Sequence, residues 1–349
     1  MKRTILTTVM IFVQILSAQI SLAQSDVKQP TYTWIVKPEY SNIGYYNEGL
    51  CAFEKNELCG FFDENGKIAI APKYESVADF CEGLAAVLIN GKWGFINKMG
   101  QFVIQPKFDD AWDFSEGLAA VRIGRQWGAI DKVGTIVIAP QFDNLWNFNN
   151  GLAAFESNGK WGFVRKNGTI AIMAQYKRVQ NFSEGFATVE AFTEKPTNQN
   201  HGVIDTDGIY MYDPVLNHAG YFKEGMARAY ITNEKNGFIN KYGKWTIVNG
   251  ILEIAEKFSD GLAYIHCNED NTYGYIDKSG KIVFQSSEIV GYNFKDGYAA
   301  AHNKDGKWGV IDKNFQWVVA PEFTNVLQPQ KGFATIQKDI KYGIIKIQK

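Results

Sequence analysis

The sequence predicts an all-β protein made of a tandem array of about nine three-stranded β-meander repeats. Three observations support this prediction. Glycines of a Gly-Leu-Ala-Ala type step recur every 34 to 40 residues, at Gly49, Gly83, Gly117, Gly151, Gly185, Gly225, Gly261, Gly297 and Gly332. Asn-Gly and Asp-Gly dipeptides, which supply the positive φ angles of hairpin turns, separate apolar segments. From residue 24 onward, no segment shows sustained helical periodicity with capping residues.

Each unit divides into three extended pieces, and the second unit shows them in order. The first strand is predicted over Gly83–Ile89, and the dipeptide Asn90-Gly91 forms a tight turn after it. The second strand covers Lys92–Asn97, and the third is the β-branched segment around Phe102–Ile104. A connector of about ten residues then leads to the next unit. Such a unit cannot bury a core alone, so it must stack on its neighbours.

Two further positions recur in nearly every unit. A glycine follows an aromatic residue inside the second strand, and a strand-interior glycine predicts close approach of another backbone segment. The aromatic is Trp93, Trp127, Trp161 or Trp308 in four units, and core packing is the expected role of these rings. An acidic residue precedes the first glycine of most units, as at Glu48, Glu82 and Glu116. Catalytic carboxylates occur as a single pair, so repeated acids predict structural hydrogen bonds.

The repeated motifs carry a family resemblance. Gly-Lys-Trp-Gly-Phe-Ile spans 91–96, and close copies occur at 159–164 and 306–311. These segments resemble the WG (KWG) repeat family of bacterial proteins, over roughly residues 30–349. The resemblance implies a secreted or envelope-associated β-repeat protein and implies no catalytic residues. The chain departs from the pattern at residues 191–258, where the aromatic is lost and the spacing lengthens.

The first 23 residues are predicted to be a cleavable signal peptide. A short basic segment precedes the apolar stretch Ile5–Leu16, and small residues mark a cleavage site before Gln24. The apolar stretch is shorter than the ~20 residues that a spanning helix needs. The first cysteine is Cys51, which argues against a lipoprotein. We therefore expect a repeat domain over 24–349, secreted or periplasmic, with no transmembrane segment after cleavage.

The array is expected to be an open or superhelical stack, and a closed propeller-like ring is the alternative. The N-terminal segment Thr33–Val36 reads as a third strand, while the chain ends with a second strand at Tyr342–Lys349. The first of these strands would therefore complete the last unit in a ring. Against the ring, nine units exceed the usual four to eight blades, and each unit is short for a four-stranded blade.

Composition limits the partners and cofactors. The formal net charge is −1, which gives no support for a nucleic-acid or membrane-surface partner. Most units lack cysteine, so no disulfide framework is expected; one bridge among Cys51, Cys59 and Cys81, or free thiols, both remain open. The four histidines show no metal-ligand spacing. The sequence therefore predicts no metal site and no cofactor.

Candidate binding residues are those that break the repeat. Trp112 and Trp146 lie in the connectors of two adjacent units, where they would form a sugar or peptide platform if exposed. His201 and His218 fall in the irregular region. The polar insertion Phe192–Gly202 is the expected recognition loop, because insertions in repeat arrays usually lie at the surface.

The function predicted from these features is a non-catalytic scaffold. Its extended surface would bind a protein or a cell-envelope polysaccharide, and no catalytic residue is assigned. The alternative is a cell-envelope hydrolase, or a subunit associated with an enzyme, with its site in the irregular region 191–258.

Overall fold

The structure is a computed structural model that describes residues 32–192, 200–232, 235–247, 252–255, 257–267 and 271–348. These residues form 36 β-strands joined by turns. The strands make nine four-stranded antiparallel sheets, which we call blades 1 to 9 in chain order. Within the described residues, no helix is long and apolar enough to cross a membrane. The predicted signal peptide and residues 193–199 of the insertion lie outside the described residues.

The first four blades have nearly identical strand bounds. The chain enters with β1 (Tyr32–Tyr40). Blade 1 contains β2 (Asn42–Asn47), β3 (Leu50–Lys55), β4 (Leu58–Asp63) and β5 (Ile68–Tyr74). Blade 2 contains β6 (Ser76–Val77), β7 (Leu84–Ile89), β8 (Lys92–Asn97) and β9 (Phe102–Phe108). Blade 3 contains β10 (Asp110–Ala111), β11 (Leu118–Ile123), β12 (Gln126–Asp131) and β13 (Ile136–Phe142). Blade 4 contains β14 (Asn144–Leu145), β15 (Leu152–Ser157), β16 (Lys160–Arg165) and β17 (Ile170–Tyr176).

The remaining blades keep the same order with more variable lengths. Blade 5 contains β18 (Arg178–Val179), β19 (Phe186–Glu190), β20 (His201–Asp205) and β21 (Tyr210–Leu216). Blade 6 contains β22 (His218–Ala219), β23 (Met226–Ile231), β24 (Lys235–Asn240) and β25 (Trp245–Ile247). Blade 7 contains β26 (Leu252–Ala255), β27 (Leu262–Cys267), β28 (Thr272–Asp277) and β29 (Ile282–Ser286). Blade 8 contains β30 (Val290–Gly291), β31 (Tyr298–His302), β32 (Trp308–Asp312) and β33 (Trp317–Phe323). Blade 9 contains β34 (Asn325–Val326), β35 (Phe333–Lys338) and β36 (Lys341–Ile347), and β1 is its fourth strand.

The two ends of the repeat array meet in blade 9 and close a ring. Strand β1 pairs antiparallel with β36, with Thr33 opposite Lys346 and Trp34 opposite Ile345. The molecule is therefore a nine-bladed β-propeller. The expected open or superhelical stack is wrong, and the alternative of a closed ring is the observed architecture. The hydrogen bonds of this closing pair satisfy backbone N–H and C=O groups of β1 and β36 that an open stack would leave unpaired.

Each blade has four strands, so the three-stranded unit predicted from the sequence is also incomplete. The connector supplies the missing strand, because its backbone pairs with the strand that follows. In blade 2, Ala78 N–H donates to Ala86 O at 2.9 Å and Cys81 N–H donates to Leu84 O at 2.8 Å. This strand is only two residues long, Ser76–Val77 in blade 2, which is too short to show a periodic pattern in the sequence.

The recurring acid lies in a tight turn and ties each blade to the next. Glu82 and Gly83 both have left-handed φ angles, 54° and 87°, as a type I′ hairpin turn requires. The Glu82 carboxylate accepts the N–H of Gly117 in blade 3 at 3.0 Å, and Lys132 of blade 3 lies 3.0 Å from the same oxygen. Equivalent bonds join other neighbouring blades, as between Gly151 N–H and Glu116 Oε2 at 2.8 Å. The predicted structural role of these acids is what the structure shows.

The glycine of the second strand permits a close backbone approach. A Cβ on Gly94 would lie 2.7 Å from both Ile104 O and Pro106 N of the outer strand. The register of β8 and β9 shifts at this point, between Trp93 and Phe95. Any larger residue would push the outer strand away, which explains why the glycine recurs.

The hydrophobic core lies between blades. Phe95 of blade 2 contacts Phe114 of blade 3 at a ring-centroid distance of 4.8 Å, and both rings are buried. Phe163 and Phe182 repeat this contact between blades 4 and 5 at 4.7 Å. Cys51, Cys59 and Cys81 are free thiols in this framework, so the bridge left open by the sequence is not formed. The side chain of Cys267 lies outside the described residues.

Candidate functional site

One row of residues crosses each blade near the turn between its second and third strands. In blade 3 the row runs through Asp110, Arg122, Trp127 and Phe142, which face one another in register. The row positions on the first and second strands differ from blade to blade, whereas the turns and the core repeat. A site that belongs to particular blades is therefore expected in this row.

Blade 3 presents a stacked pair of tryptophans. Trp112 lies 6.2 Å from Trp127 between ring centroids, with an interplanar angle of 23°. Trp127 is 8% exposed, as core packing predicts, while Trp112 is 48% exposed. The guanidinium of Arg122 lies 6.0 Å from the Trp127 ring on the same surface. The buried ring thus supports an indole that presents its face to solvent.

Blade 4 repeats the arrangement at equivalent positions. Trp146 lies 4.8 Å from Trp161 at an interplanar angle of 50°, and both rings are half-buried. The two predicted residues Trp112 and Trp146 therefore occupy the same place on adjacent blades. We call Trp112, Trp127, Trp146 and Trp161 the aromatic arc. Sequence analysis missed the pairing, because it assigned Trp127 and Trp161 to the core alone.

A third aromatic pair lies on blade 8. Tyr292 stacks on Trp308 at 5.2 Å and 24°, and Tyr292 is 51% exposed. It occupies the connector position that Trp112 has in blade 3. This pair is separated from the aromatic arc by three blades, so it serves as an internal reference.

The next two blades along from the arc form a cleft. His201 of blade 5 and His218 of blade 6 lie 5.8 Å apart between ring centroids, so the structure brings these two predicted residues together. They line a cavity of about 210 Å³, which we call the cleft. Its lining residues are Arg178, Val179, Gln180, Thr188, Glu190, His201 and His218. At about 30 Å³ each, this space corresponds to roughly seven water molecules.

A buried carboxylate forms the base of the cleft. Glu190 is 7% exposed, and its Oε1 accepts hydrogen bonds from Lys177 Nζ at 2.6 Å and Asn200 Nδ2 at 3.1 Å. Burial acts to raise the pKa of Glu190, but these hydrogen bonds and the Lys177 charge outweigh it, so the pKa is lowered. Glu190 is thus a paired anion. Sequence analysis did not single it out, because glutamate also stands at the equivalent positions of blades 1 and 4, as Glu54 and Glu156.

The two histidines are neutral near pH 7. Burial lowers the pKa of His201, although Glu190 opposes the shift. Burial also lowers the pKa of His218, and the neighbouring His201 and Arg228 lower it further. His218 also stacks on Tyr230 at 5.8 Å, which fixes its ring.

Two polar atoms in the cleft have no partner among the described residues. These atoms are Gln180 Oε1 and His201 Nδ1, and both are buried. Buried polar atoms are usually hydrogen-bonded, so a ligand or water is expected to supply the missing bonds. Thr188 is committed elsewhere, since its hydroxyl donates to Gly220 O at 2.8 Å. The cleft therefore offers hydrogen-bonding atoms to a small polar group, and that group needs no charge because Glu190 is already paired with Lys177.

The insertion predicted as a recognition loop connects β19 and β20 beside this cleft. Ala191 N–H donates to Asn200 O at 2.8 Å and closes the base of the loop. Its residues 193–199 lie outside the described residues. Within the described part of the chain, no group of three or more His, Cys, Asp or Glu residues could hold a metal ion.

Comparison with known families agrees with this repeat architecture. The family described as WG containing repeat matches eight segments of the chain. They are residues 33–59, 60–93, 93–125, 127–161, 161–190, 202–235, 273–308 and 308–342. The chain belongs to the WG-containing repeat family. The matched segments leave out 236–272, which covers part of the region where the repeat is least regular. No curated protein sequence matches this WG-repeat chain significantly.

Solved structures that align with this chain share little sequence with it. KlHsv2 with loop 6CD replaced by a Gly-Ser linker aligns with a TM-score of 0.43 and 11% identity, over 79% of this chain and 98% of that chain. The WD40 β-propeller domain of Doa1 aligns with a TM-score of 0.30 and 10% identity, over 92% of this chain and 98% of that chain. The extracellular domain of the putative hybrid two component system BT4673 from B. thetaiotaomicron aligns with a TM-score of 0.33 and 10% identity. The alignment covers 88% of this chain and 52% of that chain. Similarity at this level carries no inference about function.

Proposed function

We propose that this WG-repeat propeller is a secreted or periplasmic, non-catalytic scaffold whose aromatic arc binds a cell-envelope polysaccharide. The observation that carries the proposal is the arc itself. Two adjacent blades present tryptophan pairs at equivalent positions, one stacked and one tilted, with Trp112 exposed on the surface. The cleft with its unpartnered polar atoms lies on the next two blades, so the arc and the cleft form one extended binding surface.

The chemistry of this surface favours a polysaccharide over a protein. A sugar ring has an apolar C–H face that packs on an indole and a rim of hydroxyls that needs neutral hydrogen-bond partners. The arc provides the indole faces of Trp112 and Trp146. Neutral His201 and the Gln180 amide provide uncharged partners in the cleft. A long polymer suits sites that repeat from one blade to the next.

The side chains of the cleft support binding rather than hydrolysis. Glycoside hydrolysis generally uses two carboxyl groups, one of which must carry a proton. Glu190 is the one carboxylate among the residues that line the cleft, and Lys177 holds it as an anion. The Thr188 hydroxyl already donates to the backbone, so it is a poor nucleophile. The hydrolase alternative is therefore the weaker proposal for this region.

The predicted signal peptide at residues 1–23 supports the location. A polysaccharide partner outside the cytoplasm requires export, and the basic and apolar segments before Gln24 are of the kind that direct it. Fractionation of cells that express the full chain, with N-terminal sequencing of the mature form, tests this part separately.

Cosedimentation with insoluble cell-wall peptidoglycan tests the binding proposal. The full-length mature protein should bind saturably, and Trp112→Ala and Trp146→Ala should each weaken binding about tenfold, corresponding to about 1.4 kcal/mol. Tyr292→Ala is the matched control, because it removes an equally exposed ring from an equivalent position on blade 8. It should leave the affinity unchanged.

Three outcomes would contradict the proposal. Equal losses from Tyr292→Ala would show a non-specific effect of surface aromatics. Binding to envelope extract that is abolished by protease but survives glycan digestion would identify a protein partner. Release of soluble sugar or peptide fragments by the pure protein would establish an enzyme.

A further inference from the structure

A second cavity lies at the mouth of the central channel. It has a volume of about 230 Å³, and its wall comes from the first strand of blade 1 and from the connectors of blades 2, 8 and 9. Its lining residues are Tyr45, Asn47, Asp79, Lys295, Gln328 and Gln330. This channel pocket lies near the turns that begin the second strands, as the bridge between Cys81 and Leu84 shows. The aromatic arc lies on blades 3 and 4, which contribute no residue to this pocket, so the two sites are separate.

The pocket contains a carboxylate without a partner. Among the described residues, no side chain or backbone group forms a hydrogen bond or ion pair with Asp79. Burial raises the pKa of Asp79 above its ordinary value, as expected for a carboxylate that loses water and gains no cation. A cationic group entering the pocket would compensate this charge.

The pocket also contains a cation without a counter-ion. Lys295 Nζ donates to Gln330 Oε1, and no carboxylate of the described residues forms a salt bridge with it. An ammonium carries three donors, so donors remain free for an anionic group. Asp79 and Lys295 line the same cavity yet do not pair with each other.

The rest of the wall is neutral and largely committed to the fold. Gln330 Nε2 donates to Tyr46 O at 3.0 Å, and Gln328 Nε2 donates to Tyr298 O at 3.4 Å. The Tyr45 ring is 38% exposed and offers an apolar face. A ligand would therefore meet one negative wall, one positive wall and an aromatic side.

The two charges are not required by the repeat. At the Asp79 position, blades 4, 5 and 8 have the amides Asn147, Asn181 and Asn293. At the Lys295 position, blades 3, 5 and 7 have the hydroxyls Ser115, Ser183 and Ser259. The repeat architecture therefore does not require a negative and a positive side chain in one pocket, and this combination is a feature of this part of the ring.

We propose that the channel pocket binds a small zwitterion of the amino-acid or short-peptide class, with its ammonium at Asp79 and its carboxylate at Lys295. The volume corresponds to roughly eight water molecules, which is enough for a molecule of this size. The proposal is independent of polysaccharide binding at the aromatic arc.

Isothermal titration calorimetry of the mature protein with L-alanine and L-alanyl-L-alanine tests the proposal. At least one of the two should bind saturably. The distance between the ammonium and the carboxylate of the better ligand will then indicate the distance between Asp79 and Lys295. N-acetyl-L-alanine lacks the ammonium and L-alanine amide lacks the carboxylate. Each should bind at least tenfold more weakly than the best zwitterion.

The protein variants provide a second arm. Asp79→Asn and Lys295→Ser copy residues that other blades already have, so both should fold, and each should reduce affinity at least tenfold. Lys223→Ser is the matched control, because it makes the same change at the equivalent position of blade 6, outside the pocket. Absence of binding by both zwitterions at millimolar concentration would overturn the proposal. So would binding that survives Asp79→Asn unchanged.

Discussion

At the scale of single residues, Asp113 is an acid in a connector position where several other blades have an amide. Asp113 in blade 3 is equivalent to Asn147 in blade 4, and the Oδ1 atoms of both are buried without a partner among the described residues. Burial and the nearby charge of Asp79 together raise the pKa of Asp113 to about 6, against a hydrogen bond from Cys81 that lowers it. The folded protein thus holds a carboxyl that resists ionisation.

Asp113→Asn should stabilise the protein at neutral pH and not in acid. The folded-state pKa is above the unfolded value, so the wild type loses stability as the pH rises from about 4 to about 6. The variant avoids that loss. Allowing for partial solvent screening, we expect a gain of about 1–2 kcal/mol at pH 8 and none below pH 4. Urea unfolding at both pH values measures the difference.

Asp131→Asn is the control for this prediction. Asp131 accepts backbone hydrogen bonds in a turn, which lower its pKa, and Asn97 and Asn240 occupy equivalent turns in other blades. Its replacement should give no gain at pH 8. A gain from Asp113→Asn that is equal at pH 4 and pH 8 would contradict the account of Asp113.

Individual residues were only partly predictable from the sequence. The glycine of the second strand was assigned to close backbone approach, and Gly94 shows it. Trp112 was recognised as an outlier, but its support by Trp127 was not, because stacking between a connector and a strand depends on side-chain geometry. Glu190 was missed because its burial and its hydrogen bonds to Lys177 and Asn200 depend on side-chain packing, which no local pattern records.

At the scale of structural elements, the turn that begins the second strand is the joint between blades. Its acid lies in a left-handed conformation and accepts an N–H from the next blade. Most joints use a carboxylate, but Asn150 performs the same task with an amide oxygen, accepting Gly185 N–H at 2.9 Å. The hydrogen bond, rather than the charge, is therefore the common feature.

Glu116→Ala should weaken the joint between blades 3 and 4. The Gly151 N–H loses its acceptor, 2.8 Å away, at a partly buried position, and we expect a loss of about 1–2 kcal/mol. Glu116→Gln is the control, because it keeps an acceptor on a side chain of the same length. It should cost less than about 0.5 kcal/mol. Thermal and urea unfolding would measure both, and equal losses for the two variants would assign the effect to charge.

The irregular segment keeps the blade architecture. Sequence analysis placed the departure from the repeat at 191–258 and two of the four candidate binding residues, His201 and His218, within it. The structure puts the insertion in a hairpin of blade 5, beside His201 and Glu190, while blades 6 and 7 retain four strands. The repeat spacing in the sequence locates the irregular region. The contact between His201 and His218 depends on how blades 5 and 6 pack against each other, which the spacing does not show.

At the scale of the whole molecule, closure of the ring defines the channel pocket. The channel pocket takes residues from blades 8, 9, 1 and 2, and two of these blades lie at opposite ends of the repeat array. The sequence predicted the repeat, its turns and the strand that completes blade 9. It could not decide between stack and ring, because closure depends on a small rotation between units that adds up over nine blades. The usual limit of eight blades favoured the wrong alternative.

Disulfide trapping of the closing strands tests the nine-bladed ring most directly. In a chain whose four native cysteines are replaced, Thr33→Cys and Lys346→Cys introduce one pair at exposed positions that face each other in β1 and β36. Directly paired strand residues lie about 4.5–5.5 Å apart, within the range that a disulfide spans. Thr33→Cys with Lys166→Cys, which joins β1 to blade 4, is the control.

The account predicts that mild oxidation of dilute protein forms an intramolecular disulfide in most molecules of the 33–346 pair and in none of the control. Mass spectrometry of the linked peptides identifies the bond. A chain that stays reduced, or that forms only intermolecular dimers through these cysteines, would contradict the closed ring.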